Sequence, residues 1–246
     1  MKRIPIKLDN CPIVESVLEF RFDSDVDRAI VFPVLFSSIS NDFQAPIALP
    51  ILQIPDSVKA IDPNLKDQPC YRLLLKEDPN FSLQVGPRVI AFSFNQYYRG
   101  WKAFKDYVLT YFAKLRETNV IKKVTRMGFR VINFFDWDIF KRGTEVRISL
   151  LGQDIPYEET TLRTKFINGE YQSVVNIINN AQLNTPTGAK AGSVIDIDTC
   201  LTSCDNFFQK VPDYMDKAHT VEKELFFNLL KDELIESFSP TYDDSI

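Results

Sequence analysis

The sequence predicts an α+β fold in which two antiparallel sheet-plus-helix halves pack as one unit, closed by a long C-terminal helix. Three observations predict it. Strand patterns arrive in runs, without the regular strand–helix alternation of a doubly wound sheet. Short turns at Asp78-Pro79-Asn80, Gly86-Pro87 and Asn168-Gly169 reverse the chain between neighbouring strands. Each half also carries an amphipathic helix able to cover one sheet face.

The first half opens with Ile13–Phe22, where Val14, Ser16, Leu18, Phe20 and Phe22 alternate with a partly charged face. A helix follows to about Ser40, with Ser24 as its N-cap and a bend near Pro33. Residues 41–69 are proline-rich and aperiodic, which reads as a long irregular connection of the functional kind. Tyr71–Lys76, Ser82–Val85 and Val89–Asn95 form a meander. Arg99–Glu117 repeats Trp101, Phe104, Val108, Phe112 and Leu115 at helical spacing, and Lys123–Phe135 is again a strand.

In the second half, Glu145–Leu151, Thr161–Ile167, Tyr171–Ile178 and Ser193–Thr202 read as strands, with Asn184–Gly192 as a polar loop. A helix from about Pro212 to Phe238 ends before Pro240, leaving a short acidic tail over 242–246. The halves, about 1–137 and 143–240, are expected to form a single integrated unit over 1–246. One continuous curved sheet shared by both is one way to join them.

Composition narrows the function classes. The 29 Lys and Arg against 33 Asp and Glu give a net charge of −4, which argues against nucleic acid as a partner. No apolar run is long enough for a signal peptide or a membrane span, so a cytoplasmic location is expected. The four Cys lack the paired spacing of a zinc site and read as small buried groups in a reducing compartment. There is no phosphate-binding loop, dinucleotide turn or nucleophile elbow, and the one histidine, His219, reads as a surface or helix-packing residue. No catalytic residue, cofactor or metal is therefore assigned.

Three constellations could bind something. Period two puts Arg126, Gly128 and Arg130 on one face of their strand, where the guanidinium pair could grip a phosphate or carboxylate. The plainer alternative is cross-strand pairing with acids, for which Glu15, Glu19, Asp196 and Asp198 are the candidates. Those four carboxylates could also form an acidic cluster, and the Asp pair could hold Mg²⁺ through oxygen ligands. Third, Tyr97, Tyr98, Arg99 and Trp101 form an aromatic–arginine segment of the kind that anchors interfaces or caps pockets.

Asn10-Cys-Pro-Ile-Val-Glu15, followed by Leu18-Glu19-Phe20-Arg21-Phe22, resembles the opening of a sporadically distributed bacterial family of unknown function. Gly100-Trp101, Arg126-x-Gly128-x-Arg130-x-x-Asn133, Asp196-Ile197-Asp198 and the helix His219–Phe226 extend the likeness along nearly the whole chain. Cys11 departs from it, standing where the family often has a second proline. The resemblance implies a soluble, cytoplasmic bacterial protein of one family-length unit and brings no reaction with it. The leading expectation is a non-enzymatic binding module that self-associates or recognises a protein. The alternative is an enzyme or sensor acting on a small anionic ligand through the Arg and Asp pairs.

Overall fold

The computed structural model describes residues 2–62, 65–95, 98–155, 159–185 and 188–243. Its first half contains β1 (Lys7–Leu8), β2 (Ile13–Asp23), α1 (Arg28–Ser37), β3 (Ile47–Ala48), a 3-10 turn (Pro50–Gln53), α2 (Asp56–Ile61), β4 (Tyr71–Leu74), β5 (Phe81–Val85), β6 (Val89–Asn95), α3 (Trp101–Glu117) and β7 (Lys123–Phe135). The second contains α4 (Ile139–Arg142), β8 (Ser149–Leu150), β9 (Gln153–Asp154), β10 (Thr161–Asn168), β11 (Tyr171–Thr185), β12 (Gly188–Leu201), α5 (Phe207–Leu229), α6 (Asp232–Ser237) and β13 (Pro240–Thr241). No helix among the described residues is long and apolar enough to cross a membrane.

Nine strands make one antiparallel sheet in the order β10-β11-β12-β7-β2-β6-β5-β4-β3. The α+β class is as expected, and the halves are joined by sharing this sheet. The joint is β7, the last strand of the first half, against β12 of the second, with β2 on the other side of β7. Alternation along β2 sends Leu18, Phe20 and Phe22 into the helix layer. There Phe20 meets Phe112 of α3 at 4.6 Å and Phe207 of α5 at 5.5 Å between ring centroids.

The apolar interior falls into two clusters. One gathers β2, β4–β7, α1, α3 and the first turns of α5 as far as Ala218. The other gathers β11, β12, α4, α6 and the last turns of α5 from Phe226. Helix α5 thus crosses the seam between them.

Several elements differ from expectation for identifiable reasons. Helix α1 runs unbroken through Pro33, stops at Ser37, and is capped by Asp27, whose side chain accepts from the Ala29 N–H; Ser24 instead accepts from Val26 in the preceding turn. The 41–69 connection contains β3, the 3-10 turn and α2. Glu145–Leu151 contributes only the two-residue β8 to a ladder with β9 outside the main sheet, since both strands are exposed and have no face to bury. Strands β11 and β12 run on through most of the expected loop, past a bulge after Ile178 where Asn180 takes φ +56°. Ladder hydrogen bonds hold this polar extension, so no hydrophobic alternation marks it. Helix α5 starts before Pro212 because Phe207 and Val211 have a core to enter. It breaks at Leu230, whose extended backbone bridges Thr144, and α6 follows as a separate helix. Tyr97 and the tail residues Asp244–Ile246 lie outside the described residues.

At Gly192 of β12, an added Cβ would lie 2.0 Å from the Phe135 carbonyl oxygen, so only glycine fits this crossing of β12 and β7. Gly192→Ala is expected to lower unfolding free energy by at least about 2–3 kcal/mol in urea denaturation. An unchanged midpoint would contradict this packing.

Candidate functional site

The two arginines of β7 lie on the sheet face opposite the helices, where the register sets Arg130 opposite Asp198 and places Arg126 beside Arg21. Arg130 grips Asp196 in a fork, Nε to Oδ1 at 2.7 Å and Nη2 to Oδ2 at 2.9 Å, and Asn176 donates to the same carboxylate at 3.1 Å. Arg126 folds over Gly128 and reaches Glu19 at 2.8 Å and Asp198 at 3.3 Å; Arg21 adds a second bond to Glu19. Burial raises the carboxyl of Asp198, partly offset by Arg126, and that of Glu15, partly offset by Arg130 and Arg72. The six charged residues singled out in the sequence thus share one surface, where Arg126 pairs with Glu19 and Asp198, Arg130 pairs with Asp196, and Glu15 feels Arg130 and Arg72 through space. No three His, Cys, Asp or Glu side chains are grouped as a metal site among the described residues.

A second constellation lies on the helix side of β7. The N-terminal segment Pro5–Ile13, the start of α3 and the middle of α5 line a partly open cavity of about 1030 Å³, with Phe129, Val131 and Asn133 of β7 on its floor. That is at the upper end of the roughly 300–1,000 Å³ common for small-molecule sites. It opens at the seam where the two apolar clusters meet.

Tyr98, Arg99 and Trp101 stand on this cavity's wall. Trp101 stacks face to face on His219, ring centroids 4.2 Å apart, and donates from its indole to Asp216 at 2.9 Å. Burial pushes Asp216 up, but the hydrogen bonds from Lys105 and Trp101 outweigh it and hold the carboxyl below its ordinary range. Burial, then the nearby Lys223 charge, lowers His219 to about 4, so its imidazole is neutral at pH 7. The helix-packing reading of this histidine fits its place against Trp101.

The residue that sequence reading missed is Glu222. It is only 5 % exposed, faces the cavity, and forms no hydrogen bond or ion pair among the described residues. Burial raises its carboxyl to about 8, opposed only weakly by Lys223, so it is largely protonated at neutral pH. Tyr98 feels the same surroundings: burial, then the charges of Glu222 and Cys11, pushes its hydroxyl far up. Cys11 is exposed at the rim, yet the protein packed around its sulfur and the Glu222 charge raise its thiol as well. A signal for Glu222 was present. Ala218, Glu222 and Phe226 recur at i, i+4 and i+8, which sets an acid on the buried stripe of α5.

No family model matches this chain, and no curated protein matches it.

Glu222 fixes a pH dependence. Its folded value of about 8 lies above an ordinary value of 4.5, so its stabilising contribution is complete below pH 4.5 and is lost as pH rises through 8. His219 acts at the other end, since a folded value of about 4 against 6.5 removes stability as pH falls from 6.5 towards 4. Glu222→Gln is expected to flatten the decline between pH 4.5 and 8 and to exceed the native protein in stability at pH 8–9 by on the order of a few kcal/mol. Urea titrations at stepped pH measure this, and parallel curves for the two proteins between pH 4.5 and 8 would refute it.

Proposed function

We propose that the protein is a binding protein for a small organic molecule, held in the cavity between α5 and β7. The observation that carries this reading is the unpartnered Glu222 carboxyl turned into an open space of ligand size. An isolated buried carboxyl costs stability, and a ligand hydrogen-bonded to it recovers part of that cost. The apolar floor of Phe129 and Val131 and the wall of Phe226 suit a hydrophobic body. Binding is favoured over catalysis because no nucleophile–base pair is hydrogen-bonded in this wall among the described residues. His219 is stacked on Trp101, and the Cys11 thiol is held above its ordinary value. The carboxylate partners of Arg126 and Arg130 favour the charge-ladder reading of those residues over an anion site. The Asn10–Glu15 motif is our ground for placing the chain with the bacterial family it resembles, in the cytoplasm.

A fragment screen by thermal shift tests the reading. Compounds with an apolar ring and a polar head are expected to raise Tm, and Cys11→Trp, which fills the exposed rim, is expected to abolish the shift. A shift that survives Cys11→Trp would place binding elsewhere.

A second reading, self-association, is favoured by β10. It is an edge strand with an unpaired backbone side, and it exposes Phe166 (41 %) and Ile167 (77 %). Edge-to-edge pairing of β10 with a second copy would extend the sheet across a two-fold axis. Sedimentation velocity at about 100 µM protein is expected to show a dimer that Ile167→Lys reduces to monomer; a monomeric native chain would end this reading.

A further inference from the structure

We propose that the ligand of this cavity is an organic monocarboxylate. Its anionic head would sit between the Lys223 ammonium and the N-terminus of α3, and its apolar body would lie on Phe129, Val131 and Phe226. The inference rests on reading the cavity as a small-molecule site and adds the chemistry of what fills it.

Charge selects an anion. Lys7, Arg99, Lys102 and Lys223 line the cavity, against Asp9 and the protonated Glu222. Three of these cations already have carboxylates: Lys7 with Asp9 at 2.7 Å, Lys102 with Asp106 at 2.8 Å, and Arg99 with Asp78 at 3.2 Å. Lys223 forms no ion pair among the described residues, is half-buried, and is lowered first by that burial. One free, partly desolvated ammonium matches one negative charge.

The start of α3 supplies the second positive element. Gly100 occupies the N-cap at φ +91° and no side chain caps the helix, which leaves the first-turn N–H groups of a 17-residue helix without side-chain acceptors. An added Cβ at Gly100 would meet nothing within 4 Å, so space lies open against this backbone. The two elements converge: Trp101, the first residue of α3, stacks on His219, which precedes Lys223 by four residues and shares its side of α5. Glu222 is the independent mark of a ligand here, since it is buried, lacks a hydrogen-bond partner and faces the same space. As a neutral acid it donates to a bound carboxylate. An amine head would instead meet Lys223 as a like charge.

Calorimetry with three probes of one shape, 3-phenylpropionate, 3-phenylpropanamide and 3-phenylpropylamine, tests this on the full chain. The carboxylate is expected to bind tightest. Lys223→Met should weaken it about tenfold, Lys223→Arg should restore it, and the amide should not respond to either variant. Amide shifts in ¹H–¹⁵N spectra should concentrate at Trp101–Ala103. If the amide or amine binds as tightly as the carboxylate and Lys223→Met changes nothing, the cavity reading stands and the anionic head is overturned. If none of the three binds, both fall.

Discussion

The pairing of β2 with β7 is the constraint on which the rest of this structure depends. Those two strands are the middle of the nine-stranded sheet: β2 leads on through β6, β5, β4 and β3 of the first half, and β7 leads on into β12, β11 and β10 of the second. Because side chains alternate, the pairing fixes two surfaces at once. One holds Phe20, Phe129 and Val131 under the helices, and the other holds Glu19, Arg126 and Arg130 in a charged ladder. A one-residue slip would exchange the two surfaces and bury the guanidinium groups in an aromatic layer.

Helix α5 is the second consequence of a sheet shared by two halves. A helix long enough to serve both apolar clusters must cross from one to the other, and in its middle turns His219 and Val221 still pack on the first cluster while Glu222 and Lys223 stand on the cavity wall. The segment Pro5–Ile13 and the start of α3 close over that seam without filling it. The cavity therefore follows from the way the halves are joined, and the polar residues on its wall are those that α5 and α3 present at the seam.

Much of this was legible in the sequence. Alternation located β2 and β7, Asn168-Gly169 located the β10–β11 hairpin, and the six charged residues on the open face are the very ones that meet there. What escaped had a weak periodic signal or none. The polar extension of β11 and β12 is carried by a backbone ladder, and the break of α5 at Leu230 coincides with a bridge to distant Thr144. Glu222 sits among Val221, Lys223 and Glu224, where one carboxyl looks like any other on a charged helix. Its place in the Ala218–Glu222–Phe226 stripe was the one mark that set it apart, and the tertiary fold shows that this stripe is buried.

The two polar constellations solve opposite electrostatic problems. On the open face, neighbouring strands place unlike charges side by side, so each guanidinium finds a carboxylate within the sheet. On the helix side, Glu222 and Lys223 are consecutive on α5. Consecutive helical residues point about 100° apart, so this acid and base share a cavity without forming an ion pair. The helix thus rules out the local remedy that the sheet uses, and β7 offers no charge in its place, only Phe129, Val131 and Asn133. Lys223 and Glu222, each without an ion pair among the described residues, face one partly open space, and a group entering from outside the chain would satisfy both, which is why we place the proposed ligand at this seam and not on the better-matched ladder.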